Sequence, residues 1–491
     1  MGRDGEVSDL LWPGLHRADV GFHDRDVLGA IVRVEVVWAE VLAESGLVPP
    51  STASVLARSW MGSDGPDADP DGSLLLTRLA TAAEGGGNPV IPVLAEVRSR
   101  ARTIDPEAAA AIHRGLTSQD VLDSALMLCV KDVVIAVVDE LDAQIASMAD
   151  LARAHRDTLM VARTLGQHAL PTTFGARVAA WLRGLLVART RLLDVVVDLP
   201  LQLGGAAGTL AAVVELCRVA GRPDPVASAH ELVAFTARGL GLQVAAPWAT
   251  QREPVTRVGD ALVTLSDAFG HLAGDVLLQT RPEVGELSEP AAEGRGASSA
   301  MPQKRNPVLA VLVRRHAQSA PLLAAQLHLA AASTLDERPD GAWHTEWSPL
   351  RDLCLRTLAA ARQTTELVAG LEVHPEAMRA HLDAALPGVL AERVVPAIAP
   401  HLTGGVSAAT ASLRQSDSPA MLINTLAPLV EGVLDRADLE RLLDPAGYLG
   451  MAGTLVDEAV AAATVPRPSL VPPGQGWFGS PPGGWTRPTD P

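Results

Sequence analysis

Apolar residues recur at three- and four-residue spacing along most of the chain, which is the pattern of helices that bury one face. The stretches that keep this spacing are 106–160, 174–200, 209–221, 226–245, 254–284, 307–333 and about 344–370. Segments of this length are typical of long helices packed side by side. The pattern therefore predicts an all-α protein with a central bundle of long helices.

Breaks in the pattern divide the chain into regions. Residues 1–105 are predicted to form an N-terminal helical domain, and residues 106–370 the bundle of long helices. Residues 371–465 are predicted to form a smaller C-terminal helical domain. The tail at 466–491 is rich in Pro and Gly, cannot build a core and is predicted to be disordered.

Composition supports helices and excludes several classes of function. Aromatic residues make up only 3% of the 491 residues, and Ala, Leu and Val dominate, as they do in packed helices. The net charge of −17 argues against a nucleic-acid or membrane surface, but a local cluster of donors could still bind an anionic substrate. Cys129, Cys217 and Cys354 are few, odd in number and far apart, and no signal-peptide core is visible. We therefore expect a cytoplasmic protein without a disulfide framework or a metal site.

The segment with the most chemical information is 294–308, which reads Gly-Arg-Gly-Ala-Ser-Ser-Ala-Met-Pro-Gln-Lys-Arg-Asn-Pro-Val. Ser298 lies among small residues, so its hydroxyl is expected on an unhindered loop. Lys304 and Asn306 flank the start of the next helix, where free N–H groups and the helix dipole favour an anion. A hydroxyl beside an anion site suits proton abstraction from a small dicarboxylate. A Ser-rich linker before a basic helix would read the same way.

Two further segments contain polar residues next to a helix start or a Pro. Thr117 and Ser118 follow a predicted turn at Gly115, where they could bind a carboxylate or simply cap a helix. Gln167 and His168 lie shortly before a Pro, and a lone His in this setting is more often a structural hydrogen-bonding group than a catalyst.

The three segments together resemble the signature regions of the aspartase/fumarase superfamily. Residues 294–308 are similar to Gly-Ser-Ser-x-Met-Pro-x-Lys-x-Asn-Pro, with Ala297 in place of the first Gly. The resemblance implies that Ser298, as an alkoxide, removes the proton next to a carboxylate. Lys304 and Asn306 would hold that carboxylate and stabilise the dianion that forms, and Met301 of the same loop would bind substrate.

The other two motifs imply further roles. The segment from His113 to Asp120 matches His-x-Gly-x-Thr-Ser-x-Asp, so Thr117, Ser118 and Gln119 are implied to contact substrate. Gln167 matches a substrate-contacting Gln. Leu165, however, stands where fumarases and adenylosuccinate lyases have a His that supports acid catalysis. Either His168 replaces that acid, or the leaving group needs none.

Several other segments between residues 20 and 465 resemble the bacterial 3-carboxy-cis,cis-muconate cycloisomerase branch. By this resemblance Arg252 is a second carboxylate clamp, because Arg can engage a carboxylate through two parallel bonds, and Asn88 lines the site. Gln303 stands where that branch usually has His. The superfamily implies a three-domain fold and a homotetramer whose sites are shared between subunits. No metal-ligand set or nucleotide-binding fingerprint appears in the sequence, so no cofactor is expected.

The residues and the resemblance together indicate a lyase that releases fumarate from a 2-substituted succinate. Nitrosuccinate, in a biosynthetic pathway, is the first hypothesis, because nitrite leaves as a stable anion without an acid. Cycloisomerisation of 3-carboxy-cis,cis-muconate in aromatic degradation is the second. Adenylosuccinate or argininosuccinate cleavage is weaker, since a nitrogen leaving group favours a positioned acid. A catalytically silent homologue is disfavoured by the retained motif residues.

Overall fold

A computed structural model of the chain describes residues 9–61, 73–298, 300–301 and 303–465. The tail predicted to be disordered, 466–491, lies outside the described residues, as does Ser299 of the Ser-Ser pair.

The described residues are mostly helical, with four short strands, which confirms the all-α prediction. The helices are α1 Asp24–Glu44, α2 Thr52–Met61, α3 Ser73–Gly86, α4 Val90–Ile104, α5 Pro106–Ala111, α6 Ser118–Ala154, α7 Phe174–Val197, α8 Ala211–Val219, α9 Pro225–Leu240, α10 Glu253–Gln279, α11 Val308–Ala332, α12 Gly341–Ala369, α13 Pro375–Ala385, α14 Ala391–Ile398, α15 Gly405–Arg414, α16 Pro419–Leu426, α17 Arg436–Leu442 and α18 Ala452–Ala463. The strands are β1 Leu159–Thr164, β2 Gln167–Thr173, β3 Leu287–Ser288 and β4 Glu372–Val373.

The long helices α6, α7, α10, α11 and α12 pack against one another as a bundle. Helices α6 and α12 run parallel, because Trp343 bonds Asp123 near their starts and Gln144 bonds the Ala361 carbonyl near their ends. Helices α10 and α11 run antiparallel. The bundle therefore has two distinct ends: the Thr117 end, where α6, α10 and α12 begin, and the Ser298 end, where α10 and α12 finish and α11 begins.

Two hydrophobic cores hold the chain together. The larger one fills the bundle and the N-terminal helices, and it includes Val456 and Ala459 of α18. The last helix thus returns to the bundle instead of packing with the C-terminal helices around it. The smaller core joins α13–α17 to Val161 at the root of the β1–β2 hairpin.

The β1–β2 hairpin was not predicted by the helical pattern. Thr164 pairs with Gln167, so Leu165 and Gly166 form a two-residue turn between antiparallel strands. The segment is short, and its apolar residues do not extend far enough in either direction to reveal a period of two. The predicted helical stretch 106–160 is likewise interrupted before α6, where Gly115 adopts a φ of +83° that a helix cannot continue through.

Helix α10 is long and apolar enough to cross a membrane by length and composition. In this fold it packs against α7, α11 and α12, with Leu262, Leu265 and Phe269 completely buried.

Candidate active site

The predicted site residues fall into two groups at opposite ends of the bundle. Residues of the His113–Asp120 motif, Arg252 and the Asn88 loop surround the start of α12, near Glu346. The root of the Ser298 loop contacts Glu366, near the end of the same helix. At about 1.5 Å per residue, these two positions on α12 are roughly 30 Å apart. One chain therefore does not bring Thr117 and Ser298 together.

At the Thr117 end, the start of α6 is built around a buried carboxylate. Asp120 accepts a hydrogen bond from the Thr117 amide at 3.0 Å and from the Gly204 and Gly205 amides at 2.9 Å. Burial raises the pKa of this carboxyl, although these bonds counteract the increase. Arg338 donates to the Thr117 hydroxyl. These bonds fix the position of Thr117 at the start of α6, and the Arg338 guanidinium lies beside this first turn.

Ser118 and Gln119 follow in the first turn of α6, but they differ in accessibility. Ser118 is half-buried, whereas Gln119 is only 1% exposed. The Gln119 amide donates to Asp123 at 3.1 Å and to the Ala249 carbonyl at 2.8 Å. Both of its N–H bonds are therefore satisfied inside the chain, and Gln119 orients this end of the site.

Arg252, predicted to clamp a substrate carboxylate, is placed differently by the structure. Its side chain is completely buried between Asp123, at 2.7 Å, and Glu346, at 2.7 Å. Its remaining N–H groups face the Trp248 and Ala249 carbonyls. Because the guanidinium has no free donor and no access to solvent, Arg252 is corrected to an internal ion-pair residue.

The Asn88 side chain stabilises its own loop, because both of its polar groups form hydrogen bonds within that loop. Its side-chain oxygen accepts from the Val90 amide at 3.1 Å, and its amide donates to the Gly86 carbonyl at 3.2 Å. The same loop is held to α12 by His344, whose ring donates to the Gly87 carbonyl at 2.7 Å. The Asn88 loop is thereby fixed beside the start of α12.

At the Ser298 end, the predicted base lies on a short closed loop. The Ser298 hydroxyl accepts from the Met301 amide at 3.2 Å, and Asn306 closes the loop by donating twice to the Gly296 carbonyl at 3.0 Å. A Cβ on Gly296 would clash with the backbone carbonyl oxygen of Asn306, so only Gly fits there. Lys304 is exposed at the loop surface.

The start of α11, predicted to bind a substrate anion, is already occupied. Glu289 accepts from the Leu309 amide at 3.0 Å and the Ala310 amide at 2.7 Å. Burial raises the pKa of this carboxyl. Since Glu289 takes the free N–H groups of the helix, this part of the expectation is wrong, and Lys304 and Asn306 remain the candidates for holding substrate.

A charged cluster ties down the root of the Ser298 loop. Glu366 bonds both Arg295, three residues before Ser298, and Arg17 of the N-terminal segment. Although burial opposes it, these bonds lower the pKa of Glu366. Glu289 and Glu366 were missed from the sequence, because their partners are set by packing and no motif marks them.

Gln167 and His168 lie on the exposed part of the β1–β2 hairpin, at the Ser298 end. Burial and then the charge of nearby Arg163 lower the pKa of His168, which favours the neutral ring. Arg163 itself is held by two bonds to fully buried Glu286, at 2.9 and 2.7 Å. The lowered pKa makes protonated His168, the form that would act as a general acid, less populated than for an ordinary histidine.

Among the described residues, no three His, Cys, Asp or Glu side chains are grouped so that they could hold a metal ion. One end of the bundle offers a serine hydroxyl with a loop ammonium and amide, and the other offers a helix start with Thr and Ser hydroxyls.

Comparison with known proteins gives consistent matches. A lyase family model matches residues 76–321. Nitrosuccinate lyase of Streptomyces davaonensis is 42% identical over 464 residues, covering 93% of this chain and 92% of that protein. The 3-carboxy-cis,cis-muconate cycloisomerase of Bradyrhizobium diazoefficiens is 36% identical, covering 92% and 97%. The crystal structure of 3-carboxy-cis,cis-muconate lactonizing enzyme from Pseudomonas putida superposes with a TM-score of 0.78 at 32% identity, covering 90% and 95%.

Proposed function

The chain belongs to the aspartase/fumarase superfamily of lyases, and we propose that it eliminates nitrite from 2-nitrosuccinate to release fumarate. The family membership confirms the resemblance drawn from the three motifs. The substrate and the leaving group are the proposal, and the structure supplies the groups that would act on them.

The proposed step is a β-elimination that starts at Ser298. Its alkoxide removes a proton from the CH₂ carbon next to one substrate carboxylate, and the charge spreads onto that carboxylate. Lys304 and Asn306 stabilise this dianion, because bonds that tighten as charge develops lower the barrier. The electron pair then forms the C=C bond of fumarate, the C–N bond breaks, and nitrite leaves with that bond's electrons. The proton passes from Ser298 to solvent.

The observation that carries the proposal is the hairpin turn at Leu165. The side chain at the position of the family's acid is apolar and fully exposed, and it cannot donate a proton. Nitrite is a weak base and departs without protonation, whereas hydroxide or an amine needs an acid. The 42% identity to a protein named nitrosuccinate lyase supports the same substrate.

We also propose that the enzyme is a homotetramer whose sites combine residues from different subunits. The separation of Thr117 and Ser298 at opposite ends of the bundle supports this, since both are needed around one small dicarboxylate.

The second candidate, cycloisomerisation of 3-carboxy-cis,cis-muconate, is favoured by the 36% identity to a cycloisomerase and the superposition on the lactonizing enzyme. It uses the same carboxylate chemistry without a departing group.

A paired assay tests the proposal. Fumarate and nitrite released from 2-nitrosuccinate are measured beside the loss of 3-carboxy-cis,cis-muconate absorbance, for the wild-type protein and Ser298→Ala. We expect equal amounts of fumarate and nitrite, and a decrease in kcat of about 10²-fold or more in Ser298→Ala. Turnover of the muconate alone would reject the nitrosuccinate assignment in favour of the second candidate.

A further inference from the structure

Leu165 combines two features that a surface residue does not need. Its side chain is 104% exposed, more than any other large apolar side chain that the structure describes. Its φ is +49°, and Gly166 follows with a φ of +78°. Two-residue turns with both angles positive strongly prefer Asn-Gly or Asp-Gly, because a side chain branched beyond Cβ such as Leu is strained there.

The turn is held out from the fold by a rigid base. Val161 of β1 is fully buried in the smaller core, and Pro171 of β2 is also buried. Next to the turn, Arg163 is fixed by its two bonds to buried Glu286. The strained turn is therefore projected in a defined direction, where the exposed Leu165 side chain is available to contact another molecule.

A second copy of this chain can supply that contact. The turn lies at the Ser298 end, and the hydroxyls of Thr117 and Ser118 lie roughly 30 Å away along the bundle of the same chain. A site that uses both ends must be completed by another copy, and Leu165 is the most exposed large apolar side chain that the structure describes.

We infer that Leu165 determines the specificity of the reaction for weakly basic leaving groups. Entering a site completed by a second copy, its side chain covers the departing group and excludes water and proton donors from it. Nitrite can leave beside such an apolar surface because it departs as an anion. Hydroxide and amines cannot, because they need a proton that an apolar side chain does not donate. This inference rests on the proposed function and adds the residue that selects the leaving group.

Three substitutions separate this role from a structural one. Leu165→Asn keeps a similar shape, suits the positive φ and removes the apolar surface, so we expect the thermal midpoint to stay unchanged or rise by about 1 °C. Its kcat/KM for 2-nitrosuccinate should fall by about tenfold or more. Leu165→Met should stay within about threefold of wild type.

Leu165→His should lower nitrite release and make its rate depend on pH near the ordinary pKa of His, about 6.5. It should also raise the ratio of fumarate release from malate to that from 2-nitrosuccinate. The control is Leu429→Asn, at a leucine that is 54% exposed in the C-terminal helices and has an ordinary φ. This control should keep wild-type kinetics.

Wild-type kcat/KM in Leu165→Asn, or an equal loss in Leu429→Asn, would overturn the inference. A wild-type enzyme that releases nitrite while Leu165→Asn is unaffected rejects the inference alone. A wild-type enzyme that releases no nitrite rejects the proposed function, and the assignment of Leu165 to the leaving group is rejected with it.

Discussion

At the scale of single residues, burial decides which polar groups are available to a substrate. Arg252 and Lys304 carry the same charge, yet Arg252 is enclosed by Asp123 and Glu346 while Lys304 is exposed. Burial lowers the pKa of Arg252, but the neighbouring carboxylates of Asp123 and Glu346 raise it by more. The net effect is a raised pKa. The cation therefore stays charged between the two buried carboxyl groups, and a substrate must rely on the exposed groups.

This reading predicts that Arg252→Ala damages the fold. Without the guanidinium, Asp123 and Glu346 lose their buried counter-charge, and the free energy of unfolding should fall by about 3–5 kcal/mol in urea titrations at pH 7. The matched control is Arg257→Ala, whose pairs with Asp198 and Glu253 are partly exposed and should contribute no more than about 1 kcal/mol. If Arg252→Ala kept its stability but had a raised KM, Arg252 would instead be a substrate-binding residue.

At the scale of elements, the bundle is joined by a polar contact inside its core. His316 of α11 is 1% exposed and lies within 2.8 Å of the Ser266 hydroxyl of α10 and 3.3 Å of the Thr357 hydroxyl of α12. Burial, and then the charge of Arg356, lower the pKa of His316 to about 3. The ring is therefore neutral in the folded protein, and it aligns three helices that together support the Ser298 loop.

This contact predicts a specific loss of stability in acid. The folded ring stays neutral down to a pH of about 3, while the unfolded ring takes a proton near pH 6.5. Because the unfolded state binds more protons in this window, the free energy of unfolding falls as the pH is lowered through it. His316 contributes up to about 1.4 kcal/mol per pH unit to that slope.

Urea titrations from pH 7 to pH 5 measure the slope. His316→Gln should show a shallower dependence on pH than the wild type, whatever its stability at pH 7. His271→Gln, at an exposed histidine of α10, should retain the wild-type slope. Equal slopes in all three proteins would contradict a neutral buried ring.

At the scale of the whole molecule, the length of the helical bundle separates Thr117 from Ser298. The bundle helices reach from the Thr117 end to the Ser298 end, and no loop of the described chain brings the two ends together. A rigid bundle of this length can use both ends only if another copy places its Thr117 end against the Ser298 end of the first. This is the structural basis for proposing shared sites.

Shared sites predict complementation between two inactive chains. Ser298→Ala and Thr117→Ala should each lose activity, because each lacks one essential hydroxyl in every site. Mixed oligomers assembled from equal amounts of the two chains should recover about a quarter of wild-type activity, because about one site in four then receives an intact Ser298 and an intact Thr117 from different chains. Activity is measured after the mixed oligomers are verified by mass spectrometry. No recovery would show that Thr117 and Ser298 do not act in sites shared between chains.

The sequence by itself determined the helices, the motifs and the family. Helical periodicity is a local property of neighbouring residues, so it located α7, α10, α11 and α12 to within a few residues. The Ser298 loop could also be predicted from the sequence, because Gly, Pro and Asn have local backbone preferences. The β1–β2 hairpin was missed, because its turn is Leu-Gly and not the Asn-Gly or Asp-Gly that marks a two-residue hairpin turn in a sequence.

Only the tertiary structure decided which groups are free and which are paired. Asp123 and Glu346 lie 129 and 94 positions from Arg252 in the chain, and no local pattern encodes a partner at that distance. No local pattern shows either that Glu289 bonds the free amides at the start of α11. The distance between Thr117 and Ser298 also follows from helix packing, because it depends on how α6, α10, α11 and α12 lie side by side.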